Sequence, residues 1–198
     1  MQEHYFSQQP SVKEKPKVID VKLNGKEYKL QTSSGTFSPG HLDTGTKTLL
    51  DEVPAATGDI MLDVGCGWGP LALTMALQSP QAKVYAIDVN ERSLELTQSN
   101  ADFLGRRNII VGKPENLDPK LEFDLIWSNP PIKVGKQELH HILQMWLPRL
   151  KKGGSAYLVV AKKLGAESLL KWLQAEFSTM ECSRFARNKG FHVLKVQN

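Results

Sequence analysis

Asp63-Val64-Gly65-Cys66-Gly67-Trp68-Gly69-Pro70 is the stretch that decides the fold of this 198-residue chain. The apolar run Asp59 to Val64 before it reads as a short strand, and Leu71 to Gln78 after it as a helix. Three glycines at alternate positions permit positive φ and let a ligand touch the backbone directly. In an open parallel sheet such a turn lies beyond the carboxyl end of its strand, where ligands bind. The dehydrogenase fingerprint wants its third glycine one place later, where this chain has Pro70. That spacing argues against a dinucleotide pyrophosphate on the helix N-terminus.

Asp63 argues in the same direction, because a carboxylate repels phosphate and suits a cation. S-adenosylmethionine carries an ammonium and a sulfonium, and fits that requirement. The next strand, Val84-Tyr85-Ala86-Ile87-Asp88, ends in a carboxylate 23 residues beyond Gly65. A carboxylate there can accept both hydroxyls of a ribose. An ordinary tight turn with a helix-capping Asp is the bland alternative.

Working outward, strands and helices alternate. Lys83 to Ile87 reads as a strand, Glu91 to Leu104 as a helix, and Asn108 to Val111 and Phe123 to Ser128 as strands. A helix from Gln137 to Leu150 leads through Lys152-Gly153-Gly154 into a strand at Ala156 to Ala161. Ala166 to Phe177 reads as a helix, and Met180 to Ala186 and Phe191 to Val196 as strands joined at Asn188-Lys189-Gly190. This alternation predicts a mostly parallel, Rossmann-like α/β sheet covered on both faces, with an antiparallel C-terminal hairpin. Upstream, Val18 to Leu23 and Glu27 to Leu30 flank Asn24-Gly25, a strong hairpin signal. The predicted organisation is a flexible arm over 1–17 and a single domain over 18–198. Within it, 18–31 form the hairpin, 32–53 a loop and a helix from Leu42 covering the cofactor, and 54–198 the core.

Ser128-Asn129-Pro130-Pro131-Ile132 follows the fourth core strand. Two prolines force the chain out of the sheet, and the residue before each is held extended. Asn129 then offers a side-chain carbonyl, and Pro130 a backbone carbonyl, at the ligand-binding edge. Two such acceptors can grip both hydrogens of an amino group and aim its lone pair at a methyl donor. A merely stiff loop is the alternative.

Asp63 to Pro70, Ile87-Asp88 and Ser128 to Pro131 together resemble the class I S-adenosylmethionine-dependent methyltransferases. More narrowly, they resemble the small-domain group that includes ribosomal RNA guanine-N2 methyltransferases. Gly35-Thr36-Phe37-Ser38, Leu42-Asp43-Thr44-Gly45-Thr46 and Leu49-Leu50 match the N-terminal motif of that group. The resemblance implies S-adenosyl-L-methionine bound by Thr46, Asp63, Gly65, Cys66, Gly67, Gly69, Asp88, Val89, Glu115 and Asn129. Thr46 would approach its methionine end, and Glu115 or Asp118 the adenine. Asn129, Pro130, Pro131 and Ile132 would orient the acceptor, an exocyclic amine, with guanine N2 of ribosomal RNA as the expected target. The position of Ile132 is usually aromatic in that group and stacks on the base; an aliphatic residue forgoes a stacking contribution of about 1–3 kcal/mol. The related two-domain RNA enzymes carry an extra N-terminal half. Methylation of a glutamine amide in a protein, and an idle RNA-binding factor with the same fold, remain as alternatives.

Charge bears on the partner. The net charge is +4. Residues 1–132 hold 13 Lys/Arg against 17 Asp/Glu, whereas residues 133–198 hold 12 against 4. A basic C-terminal third points to an anionic partner such as RNA, or to lysines that only confer solubility. Lys133, Lys136, Lys162 and Lys163 follow strand ends on the ligand side and are candidates for phosphate contacts. Two cysteines supply neither a disulfide framework nor metal spacing. No run of about 18 apolar residues and no signal-peptide plan occur, so a cytoplasmic protein without membrane or metal is expected. Adjacent His140 and His141 face different ways and are expected on a surface helix. Trp68 either packs under the turn or walls the pocket.

Overall fold

The computed structural model describes residues 13–198, and of Lys133 the backbone only. Residues 1–12, most of the expected arm, lie outside the described residues, as does the Lys133 side chain. The chain runs β1 (Pro16–Leu23), β2 (Lys26–Ser33), α1 (Thr44–Glu52), β3 (Ile60–Val64), α2 (Pro70–Gln78), β4 (Lys83–Ile87), α3 (Glu91–Phe103) and β5 (Ile109–Gly112). It continues with β6 (Phe123–Ser128), α4 (Lys136–Trp146), β7 (Leu150–Ala161), α5 (Ala166–Glu176), β8 (Glu181–Asn188) and β9 (Phe191–Gln197).

β3 to β9 form one seven-stranded sheet in the order β5-β4-β3-β6-β7-β9-β8. The strands are parallel from β5 to β7, and β9 and β8 close the sheet antiparallel. From β3 the chain winds outward to β4 and β5, then returns to place β6 on the other flank of β3. The switch in winding direction therefore falls between β3 and β6, where an open sheet leaves a crevice at its carboxyl edge. The glycine turn leaves β3 at that point, and Asn129 leaves β6 beside it.

Two apolar layers hold the sheet. On one face Met61, Val84, Ala86, Leu125 and Trp127 pack against Leu71 to Ala76 of α2, Leu96 of α3 and Leu49 of α1. On the other, Leu62, Ile87, Ile126 and Leu158 pack against Leu143 and Trp146 of α4 and Leu169 and Leu173 of α5. α2 is buried on nearly every side, as its uninterrupted apolar sequence requires. The β1–β2 hairpin turns through Asn24 and Gly25, both at positive φ. It extends two residues further upstream than the sequence signal, starting at Pro16, and seats Leu23 and Leu30 in the first core layer.

Three boundaries differ from expectation for local reasons. α4 stops at Trp146 and tightens into a 3₁₀ turn over Leu147–Arg149, because Pro148 donates no N–H to continue the helix. β7 begins at Leu150 and carries Lys152-Gly153-Gly154 within the strand. There a register shift against β6 and a positive φ at Gly153 accommodate the glycines. The final hairpin turns on two residues, Lys189 and Gly190, both at positive φ, so β8 reaches Asn188. Among the described residues no helix is long and apolar enough to cross a membrane.

Candidate functional site

The glycine turn is tied to β4, since the Gly65 and Cys66 N–H groups both donate to the Ile87 carbonyl at 2.9 Å. Gly65, Gly67 and Gly69 have φ of 78°, 58° and 94°, a region that other residues enter only with strain. Their roles differ. A Cβ on Gly69 would lie 3.1 Å from Thr97, so this glycine lets α3 approach the turn. A Cβ on Gly65 would meet nothing within 4 Å, because that face of the turn opens onto a cavity. Cys66 is buried, and burial pushes its thiol well above the usual range. Trp68 is buried with 2% exposure and also lines the small recess beside the turn, so it serves both expected roles.

Asp63 is not where the sequence reasoning puts it. Its carboxylate is fully buried and absent from the cavity wall. Its Oδ2 accepts the Ala72 N–H at 3.0 Å, a donor in the first turn of α2 that has no partner within the helix. Gly69 has no side chain to cap α2, so Asp63 performs that service from β3. Burial pushes the Asp63 carboxyl up to about 8, with the Ala72 N–H opposing and the Asp88 charge adding. Its Oδ1 has no hydrogen-bond partner among the described residues. A proton or a nearby cation would satisfy that orphaned oxygen.

Asp88 does line the cavity. Its Oδ2 accepts the Gly67 N–H at 3.0 Å and its Oδ1 the Asn90 N–H at 2.9 Å. Burial raises this carboxyl, opposed by N–H groups of Asn90, Gly67 and Val89. Of the two acids after β5, Glu115 lies on the wall, in a 3₁₀ turn begun by Pro114. Asp118 is not on the wall, and its Oδ1 accepts the Lys120 N–H at 2.9 Å.

Asn129 stands at the centre. Its Nδ2 donates to Asp43 Oδ2 at 2.9 Å and to Thr46 Oγ1 at 3.0 Å. A carboxylate only accepts, so the amino end must face Asp43, and Oδ1 is the end left for a ligand. Asp43 Oδ2 also accepts the Thr46 N–H at 3.1 Å as the N-cap of α1. Gly45 makes room for this arrangement: a Cβ there would sit 2.9 Å from Asp43 Oδ2 and 3.0 Å from Phe191. The Ser128 hydroxyl donates to the Val64 carbonyl at 2.7 Å and fastens the end of β6 to β3. The Pro130 carbonyl is not wholly vacant as expected, because it accepts the Ile132 N–H at 2.8 Å; its second lone pair remains.

The cavity has a volume of about 680 Å³. Gly65, Ile87, Asp88, Val89, Pro114 and Glu115 line one end; Pro130, Pro131, Ile132, His141, Met145, Lys163 and Phe191 line the other. Asn129 lies on its wall and, with Thr46, Cys66, Gly67 and Phe37, on that of a small adjoining recess. Gly69 lines neither. Sequence reasoning gave no role to Asp43, Glu138, His141 or Phe191. His141 is exposed on α4, in keeping with a surface helix, and it also borders the cavity, while His140 stacks on Trp172 at 3.6 Å. Among the described residues no cluster of His, Cys, Asp and Glu could hold a metal ion.

A parallel sheet with an open glycine cradle, a carboxylate at the end of the next strand and a fixed Asn-Pro-Pro carbonyl pair is methyltransferase architecture. The chain belongs to the methyltransferase small domain family, which matches residues 27–195, a family of S-adenosylmethionine-dependent enzymes. It is 36% identical to the uncharacterized protein YbxB of Bacillus subtilis, over 100% of this chain and 99% of that one. It is 30% identical to ribosomal RNA large subunit methyltransferase G of Shewanella putrefaciens, over 93% of this chain and 50% of that one. It is also 30% identical to ribosomal RNA small subunit methyltransferase C of Hahella chejuensis, over 84% of this chain and 49% of that one. The chain thus spans about half the length of these ribosomal RNA methyltransferases. The fold matches that of T. thermophilus 16S rRNA N2 G1207 methyltransferase, solved with AdoMet and guanosine, with a TM-score of 0.77. Identity there is 24%, over 92% of this chain and 50% of that one.

Proposed function

We propose that this chain transfers a methyl group from S-adenosylmethionine to the exocyclic N2 of a guanine in ribosomal RNA. The observation that carries the reading is the Asn129 amide, held by Asp43 and Thr46 so that its oxygen is the end offered to an acceptor. The cavity fits the cofactor: Gly65 presents bare backbone, and Asp88 stands on the wall as an acceptor for a ribose hydroxyl. Gly65, Gly67, Asp88, Val89 and Glu115 would hold it, with Thr46 and Asn129 at its methionine end. Bound there, it supplies an electrophilic methyl on a sulfonium.

The chain's own residues do the rest. Asn129 Oδ1 and the Pro130 carbonyl accept the two amino hydrogens and turn the nitrogen lone pair toward the methyl. The same two dipoles stabilise the positive charge that grows on nitrogen during displacement. Correct placement of two reactants supplies about 7–11 kcal/mol of the barrier reduction. The methylated ammonium sheds its proton to water. Ile132, Met145, His141 and Phe191 offer apolar and aromatic surface to a planar base that has been drawn out of its stack.

The names of the relatives and the excess of cations in residues 133–198 support RNA as the acceptor. Incubation with labelled S-adenosylmethionine, total RNA and ribosomal protein is the test. Label in RNA, recovered as N2-methylguanine and lost in Asn129→Ala at saturating cofactor, is expected. Label in protein would transfer the reading to an amide acceptor, and undiminished turnover by N129A would overturn the mechanism.

A further inference from the structure

The carboxyl edge of the sheet continues past the cavity into a cluster of cations that the methyl-transfer chemistry does not use. β7 ends at Ala161, and the 3₁₀ turn Lys162–Leu164 follows. The antiparallel β8–β9 hairpin brings its tip to the same edge, where the Lys162 N–H donates to the Gly190 carbonyl at 2.9 Å. Lys162, Lys163 and Lys189 are all exposed. Lys163 and Phe191 also line the cavity, so the cluster and the cavity share a rim.

β8 adds two arginines by an irregularity in its pairing. Arg184 pairs with Leu194 and Arg187 with His192, while the register shifts at Phe185. In a regular strand residues three apart point to opposite faces. The extra residue puts both arginines on the face of α5, as expected of a bulge that re-aims side chains. Glu167, at the start of α5, holds them there: Arg184 Nη1 lies 2.9 Å and Arg187 Nη2 3.7 Å from its Oε1. Arg187 stays 58% exposed despite this contact. α5 starts in the same place with Gly165 as an N-cap that has no side chain, so the positive end of the helix dipole is not offset by a capping side chain.

Resting on the RNA reading above, we infer that Lys162, Lys163, Arg184, Arg187 and Lys189 form a phosphate-binding surface for the strand that carries the target base. A base can enter the cavity only if its own backbone crosses the rim, and the rim beside Lys163 and Phe191 is where these cations stand. Glu167 acts as a placeholder that keeps the arginines extended until phosphate displaces it. Phosphate contacts of this kind fix register and carry no sequence information.

The test uses the full chain, a single-stranded RNA oligonucleotide of mixed sequence, and fluorescence anisotropy across a salt series. The double variant Lys162→Glu/Arg187→Glu should bind RNA more weakly, with a log–log salt dependence shallower by about 1.4 for two lost contacts. Its affinity for S-adenosylmethionine and its melting temperature should match wild type. Glu167→Gln should move the other way and bind RNA more tightly, a gain that damaged folding cannot mimic. Unchanged RNA affinity and salt slope in both variants, with wild type binding RNA, would overturn the surface and leave the RNA reading intact. Wild type that binds no RNA would bring down the RNA reading, and this surface with it.

Discussion

Asp43 has two jobs that can be separated one side chain at a time. It caps α1 by accepting the Thr46 N–H, and it fixes the Asn129 amide. Asp43→Ser keeps a competent cap, but its short hydroxyl cannot reach Asn129. Asp43→Asn keeps the cap and restores an acceptor for the Asn129 amino group. Freed from Asp43, Asn129 can rotate and present its amino end to another amine. Small misplacements of this kind cost roughly 10²-fold in rate. We expect D43S to lower kcat by that order with cofactor affinity little changed, and D43N to recover most of it. Equal kcat in D43S and wild type, measured at saturating RNA, would remove Asp43 from the mechanism. Gly65→Ala separates differently: Ala at φ 78° costs about 1 kcal/mol of stability, and its methyl projects into the cavity. Calorimetric titration should show a loss of cofactor affinity larger than that strain alone accounts for.

At the scale of elements, the β1–β2 hairpin is bolted to the catalytic core by Asn100 of α3. Its Oδ1 accepts the Gln31 N–H at 2.8 Å, and its Nδ2 donates to the Gln31 and Trp68 carbonyls at 2.9 Å. One buried amide thus fastens β2 and the glycine turn to the same helix. Asn100→Ala leaves those backbone groups without partners, a change worth roughly 2–4 kcal/mol. Denaturant unfolding should show it as a lowered midpoint, and limited proteolysis should show the hairpin as the first segment cut. None of this was legible in the sequence, because Asn100 lies 69 positions from Gln31 inside an unremarkable helical stretch. By contrast, β4 and β6 run over the residues expected, Lys83–Ile87 and Phe123–Ser128. Short apolar runs bounded by turn residues leave little freedom there. Alternation of strands and helices predicts parallel strands, and parallel strands bring the ends that carry Gly65, Asp88 and Asn129 to one edge, although the order of the strands is seen only in the structure. Long-range polar partners obey no periodicity. That is why Asp43, Phe191 and the bulge at Phe185 appear only in three dimensions, and why Asp63 was assigned to the ligand rather than to α2.

For the whole molecule, the buried acids set how stability responds to pH. The Asp63 carboxyl titrates near 8, raised chiefly by burial, and burial raises Asp88 as well. In the unfolded chain both would lose their protons near 4. Between about 4 and 8 the native state therefore binds more protons than the unfolded state, and stability falls as pH rises through that window. The contribution is fully present below the unfolded value and is exhausted above the folded one. Asp124 works in the opposite sense: burial disfavours its charge, but Lys151 and the N–H groups of Ile60 and Asp59 outweigh this and hold its carboxyl low. That contribution is lost as pH falls into the acid range. Asp63→Asn keeps an acceptor for the Ala72 N–H but cannot titrate. Its melting temperature should decline less than that of wild type between about pH 5 and 9, whatever constant penalty the extra amino group imposes. Parallel curves for D63N and wild type across that range would show that Asp63 is ionised throughout.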